Sequence, residues 1–133
     1  MPNKEKAMKQ ITLAIFVMVL GSFVIVDAAG ADGGEWKVVT VELAPGAVSA
    51  VHHHGESESA IYVISGSARF WSGADLSRSH DADAGDFVWV PPHEVHVEAN
   101  RSDTEPVRMA VARSTQKAIV VNLPNPEGWP AKT

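Results

Sequence analysis

The sequence predicts an all-β domain, a sandwich or barrel of seven or eight short strands, behind an N-terminal signal peptide. Three observations predict it. From Trp36 onward, short Val-, Thr-, Ile- and aromatic-rich runs alternate with Gly, Pro, Asp and Ser clusters, the pattern of strands and turns. No stretch of about 10–15 residues there carries the 3.6-residue apolar repeat of a helix, so strand–helix–strand units are excluded. The one long apolar stretch, 11–26, follows a lysine-rich start and ends in small residues.

The elements follow in order. MPNKEKAMKQ carries three lysines against one glutamate, ITLAIFVMVLGSFVIV is apolar, and VDAAGADGG offers cuts after Ala28 or Ala31. These are the three regions of a signal peptide, expected over 1–31, with one domain over 32–133. Sixteen residues is short for a membrane span, so membrane contact is expected only if this segment stays uncleaved. WKVVTVEL (36–43) is the first strand, closed by Pro45-Gly46. AVSAVHHH (47–54) is a strand ending in histidines, and GESES (55–59) is a polar turn. AIYVISG and SARFWSG form a hairpin across Gly66. The acidic ADLSRSHDADAG (74–85) reads as a loop holding one short strand. DFVWVPP, HEVHVEAN and PVRMAVARS are further strands, and the last apolar run, KAIVVNL, precedes three prolines that forbid a central strand.

Charge and composition narrow the function. Between Asp32 and Thr133 fourteen acidic residues stand against eight basic ones, with no basic stripe. Nothing there neutralises a phosphate backbone, so no nucleic-acid partner is expected. The chain has no cysteine, which removes thiolate metal sites, thiol nucleophiles and iron–sulfur chemistry. An exported domain without disulfides draws its stability from its core, a metal or a partner subunit. Export to the periplasm or medium is the expected localisation.

His52, His54 and His96 are the candidate metal ligands. Residues i and i+2 of a strand leave the same face, so His52 and His54 share a face while His53 points away. Buried imidazoles are costly unless their nitrogens are paired or metallated. His96 follows Pro91-Pro92, which fix the approach of the chain. His93 stands at that corner and is expected at the pocket rim.

The spacing also carries a resemblance. Gly46, five residues, His52, one, His54, four, Ser59, six, Gly66 forms one motif. Gly85, five residues, Pro91, one, His93, two, His96, three, Asn100 forms a second. Together they resemble the two motifs of the cupin superfamily, over about Trp36 to Leu123. The resemblance implies a jelly-roll β-barrel of six to eight strands. It also implies a metal held inside by His52, His54, His96 and a glutamate. The cofactor is then a divalent transition metal, Fe, Mn, Ni, Cu or Zn.

Two positions depart from the motifs. The glutamate slot counted back from Gly66 is Ser59; at a shorter spacing from His54 it is Glu58. Glu58 is the expected fourth ligand if the turn is one residue tighter and the strand bulges before Gly66. Otherwise the centre has three histidines with Ser59 beside them, and Glu56 is the remaining carboxylate. The second departure is His93, where the motif has glycine, which places a group able to act as acid or base at the pocket mouth.

Tyr62 is a candidate hydrogen-bond donor to substrate, and Ile64, Phe70, Trp89 and Met109 are candidate wall residues. Arg69 and Arg108 are carboxylate clamps if they turn inward. Trp36 and Trp71 are expected at the barrel or a subunit interface, and Trp129 on a tail folded over a neighbour in a homodimer.

The leading function is a metal-dependent enzyme, an oxygenase acting on a small organic molecule. The alternatives are a non-catalytic binding or storage module, and a metal-dependent isomerase, lyase or decarboxylase.

Overall fold

The computed structural model describes residues 26–29, 35–115 and 117–130. Ten strands among these residues form two five-stranded sheets. In chain order they are β1 (Val26–Ala29), β2 (Glu35–Leu43), β3 (His52–His53), β4 (Ser59–Ser65), β5 (Ser67–Ser72), β6 (Arg78–Asp83), β7 (Phe87–Val90), β8 (His96–Asn100), β9 (Val107–Arg113) and β10 (Val121–Asn122). The first sheet runs β1-β2-β9-β4-β7 and the second β10-β3-β8-β5-β6, with antiparallel pairing throughout. The expected signal peptide lies outside the described residues except for 26–29, which pair with β2.

Period-two alternation places the core. In β4, Ser59, Ile61 and Val63 are buried while Ala60, Tyr62 and Ile64 are exposed. In β9, Val107, Met109 and Val111 are buried in the same rhythm. With Val39, Phe70, Ala82 and Val90 they fill the space between the sheets. Each such aliphatic side chain contributes roughly 1.5–3 kcal/mol on burial. Phe70 and Trp71 are neighbours on β5 and therefore face opposite ways. Phe70 enters the inner core, and Trp71 joins Val51, Leu76, Val97, Leu123 and Trp129 in a second cluster. The Pro-rich tail thus folds over its own chain: the Trp71 and Trp129 rings meet edge-on at 5.0 Å.

Three local devices hold the strands in place. Gly66 closes the β4–β5 hairpin at φ +85°, where a Cβ would lie 2.5 Å from the Pro106 carbonyl oxygen. Buried Asn100 donates from Nδ2 to the Leu43, Ala44 and Glu105 carbonyls and accepts from the Ser102 amide, tying the ends of β2, β8 and β9. The segment read mostly as loop contains the six-residue edge strand β6, polar on nearly every position. Cross-strand pairing with β5, including two hydrogen bonds from Arg69 to Asp81 of 2.6 and 2.9 Å, holds it without an apolar face.

Candidate metal centre

His52 on β3 pairs directly with His96 on β8, and His54 follows two residues beyond His52. The sheet register therefore brings the three imidazoles together before any ligand is considered. All three are buried. Ring centroids lie 4.3 Å (His52–His96), 4.9 Å (His52–His54) and 5.1 Å (His54–His96) apart. One ring nitrogen of each lies within 4.8 Å of the others. An ion about 2.1 Å from all three nitrogens holds them about 3.0–3.6 Å apart, so the most widely separated pair would close by about 1–2 Å around it.

The backbone fixes which nitrogens are free. His52 Nδ1 lies 2.7 Å from the Ala50 carbonyl oxygen, His54 Nδ1 2.7 Å from that of Ile119, and His96 Nδ1 2.8 Å from that of Glu94. A carbonyl oxygen only accepts, so each Nδ1 carries the proton and each neutral ring keeps its lone pair on Nε2. Metal-ligating histidines are oriented in this way. Burial pushes the His96 imidazole down to about 4, against the opposing hydrogen bond to the Glu94 carbonyl. Burial lowers His54 as well, with the Arg113 charge adding to it. Both rings are neutral at neutral pH, the form that ligates.

The expected fourth ligand is not where the shorter spacing places it. Glu58 shares the outer face with Ala60 and Tyr62, and its carboxylate accepts from the Trp89 indole N–H at 3.1 Å. A register shift does occur before Gly66, between Val63 and Ser65. It leaves Ser59 on the inner face, in the cavity with His54 and His96. Glu56 is exposed.

His93 is exposed at φ 59°, a left-handed conformation that explains glycine in that slot of the motif. Its amide donates to the Gly55 carbonyl, its ring lies 6.0 Å from that of His53, and it is not among the residues lining the inner cavity or the pocket beside it. Tyr62 is outside the barrel, against Phe87 at 4.9 Å, so it cannot donate to a ligand at the histidines. Ile64 is also exposed. Met109 lines the inner cavity, and Phe70 and Trp89 line a second pocket that reaches His96. Arg69 pairs with Asp81, Arg108 with Glu42 and Arg101 with Asp81 and Asp83, all on the surface.

Two inward charges were not anticipated from the sequence. Glu98, two residues after His96, brings Oε2 to 3.5 Å from His96 Nε2. Arg113 continues the inward series Val107, Met109, Val111 and lines the same cavity. Burial lowers its pKa, and the nearby Glu98 charge opposes that shift. Strand parity was the available signal for both. The cavity they share with Ser59, His54 and His96 is about 20 Å³, room for roughly one ion or water.

A family profile described as "Cupin domain" matches residues 39–113, which contain all three histidines. The chain belongs to the cupin family. Among solved structures, this cupin is similar to an uncharacterized conserved protein with a double-stranded β-helix domain from Klebsiella pneumoniae subsp. pneumoniae MGH 78578. The TM-score is 0.61 at 22% identity, covering 84% of this chain and 92% of that one. It is similar to oxalate oxidase in complex with glycolate (TM-score 0.62, 21% identity, 77% of this chain and 55% of that one). It is also similar to oxalate decarboxylase from Bacillus subtilis (TM-score 0.63, 24% identity, 89% of this chain and 31% of that one). The cupin thus spans about half the length of the oxidase and a third of the decarboxylase, and the likeness is one of fold. A search of curated proteins found no match.

Proposed function

We propose that this cupin is a metal-dependent enzyme, an oxygenase acting on a small organic molecule. The observation that carries the reading is the convergence of three buried imidazoles whose Nδ1–H groups are all held by backbone carbonyls. A divalent Fe, Mn, Ni, Cu or Zn ion on the three Nε2 atoms would supply Lewis acidity and vacant coordination positions, and a redox-active one the oxygen chemistry. The chain's own residues supply orientation, a dry wall and the approach.

The approach lies at the open seam between edge strands β6 and β7. A pocket of about 270 Å³ there is lined by Phe70, Ser72, Arg78, His80, Trp89 and His96, among others. Apolar rings and an Arg78–Glu94 ion pair at one mouth suit a small molecule with an apolar body and a polar end. Two of the enzymes with this fold act on small acids by the names they carry, which supports a small substrate.

Metal analysis and oxygen uptake test the reading. The expected result is about one equivalent of one of these metals, and oxygen consumption with some small-molecule substrates when Fe(II) is present. A folded preparation that takes up no metal ends it. Full occupancy without turnover favours the second reading, a metal-holding binding module, which the small inner cavity also supports.

Two further features belong to this proposal. Tyr62, Ile64, Phe87 and Trp89 are exposed together on the outer face of β4 and β7. Beside the edge of β7 that is unpaired among the described residues they form an apolar face for a second copy of this chain. Sedimentation of wild type and Phe87→Glu tests it: a dimer turned monomer is expected, and a wild-type monomer overturns it. Export is the proposed localisation, tested by N-terminal sequencing of the protein recovered outside the cytoplasm.

A further inference from the structure

We propose that Ser59 and Arg113 form an oxyanion subsite beside the three histidines, receiving one oxygen of a small monocarboxylate whose other oxygen turns toward the metal. The proposal rests on the metal reading above. Ser59 and Arg113 are direct partners across β4 and β9. Both face the inner cavity that His54, His96 and Glu98 also line.

Ser59 Oγ and Arg113 Nε are buried and have no hydrogen-bond partner among the described residues. A buried polar group left unpaired is costly, and more so when charged. Such groups call for an acceptor from outside the chain, an ion, a water or a ligand. The donor chemistry selects among these. A guanidinium N–H only donates, and a serine hydroxyl can donate beside it, so together they fit a single oxygen acceptor.

Charge selects an anion. Three neutral imidazoles, a dication, the Arg113 guanidinium and the Glu98 carboxylate leave two positive charges in excess inside a mostly apolar shell of Val41, Ile61, Val90, Met109 and Val111. A second cation is disfavoured there and an anion is favoured. The cavity, about 20 Å³, has room for one ligand oxygen and not for the body of a ligand. Arginine suits a carboxylate because its planar fork matches the carboxylate edge.

The test uses the full chain loaded with Mn(II), with acetate as probe and acetamide as its neutral isostere. Binding is followed by calorimetry and by the Mn(II) spin-resonance spectrum. Acetate is expected to bind and acetamide to bind at least about tenfold more weakly. Arg113→Gln should weaken acetate at least about tenfold and Ser59→Ala about threefold or more, with Mn(II) affinity changed less than about threefold in each. Equal acetate affinity in wild type and Arg113→Gln overturns the proposal. So does a wild type that does not distinguish acetate from acetamide, since a trapped water then satisfies the donors. If Arg113→Gln fails to fold, Arg113→Lys and Ser59→Ala decide, and undiminished acetate affinity in both overturns it. Failure of the metal reading appears separately, as no Mn(II) uptake in chelator competition before acetate is added. Acetate-dependent thermal stabilisation that is absent from Ser59→Ala would then still support the subsite, and its absence from wild type would overturn it.

Discussion

His52 and His96 face each other directly across the β3–β8 pair, with ring centroids 4.3 Å apart. Sheet register, not loop conformation, therefore sets the shortest distance in the centre. Positions on paired strands are held to within a fraction of an ångström, which is what a metal site requires.

Removing one of these rings should remove the metal. His96→Ala is expected to lower affinity for Mn(II) or Zn(II) at least about 100-fold in chelator competition. Glu58→Gln, whose carboxylate lies outside against Trp89, should change it less than about threefold. A Glu58→Gln variant that loses metal would place that side chain back in the centre.

Acid should destabilise the metal-free protein. The His96 pKa in the fold is about 4 against 6.5 for the free group, and His54 is lowered too. For a lowered pKa the unfolded chain binds the proton that the fold refuses. The stabilising contribution is therefore complete above about 6.5 and is lost as the pH falls through about 4. For His96 it amounts to at most about 3 kcal/mol. Urea denaturation in the presence of a chelator should show the loss between pH 7 and pH 4.5, and His96→Gln should flatten it. A pH-independent midpoint would refute the assignment.

The tail should matter to the centre as well as to stability. Ile119 supplies the carbonyl that holds His54, and Leu123 and Trp129 pack in the second apolar cluster. Trp129→Ala should cost about 1–3 kcal/mol in denaturant unfolding and weaken metal binding. Unchanged metal affinity would show that the Ile119 carbonyl is held independently of the tail's aromatic anchor.

Gly66→Ala should destabilise by more than about 1 kcal/mol, since both its positive φ and the Pro106 carbonyl oppose a side chain. Calorimetric melting checks this, and an unshifted midpoint would mean that the hairpin relaxes freely.

The triad was legible in the sequence because parity and motif spacing agree at His52, His54 and His96. The fourth position was not, because counting forward from His54 and backward from Gly66 gives different residues. The strand alternation of Ser59, Ile61 and Val63 decides it, and the register shift falls beyond Val63. Glu98 and Arg113 were hidden for a different reason. Strand charges ordinarily face water, as Arg69 and Arg108 do, and desolvation argues against the inward reading until both signs are seen together. β6 was legible only as one short strand within a loop, because its pairing comes from backbone and ion pairs, with scarcely any apolar rhythm to read. The Trp71–Trp129 contact was not legible because nothing local to the tail says that Trp71 is waiting on the same chain.

The carbonyls of Ala50, Glu94 and Ile119 have a consequence for how such a protein can change. In many metal sites a carboxylate side chain steers each histidine, and one substitution there retunes the ion. Here all three steering groups belong to the main chain, so single substitutions leave them in place. Ser59, Glu98 and Arg113 are side chains and can vary freely by comparison. Inheritance of the ion-holding half is thereby separated from inheritance of the half that chooses what the ion meets. A lineage built on this backbone can exchange one chemistry for another in a few steps without passing through a form that has lost its metal.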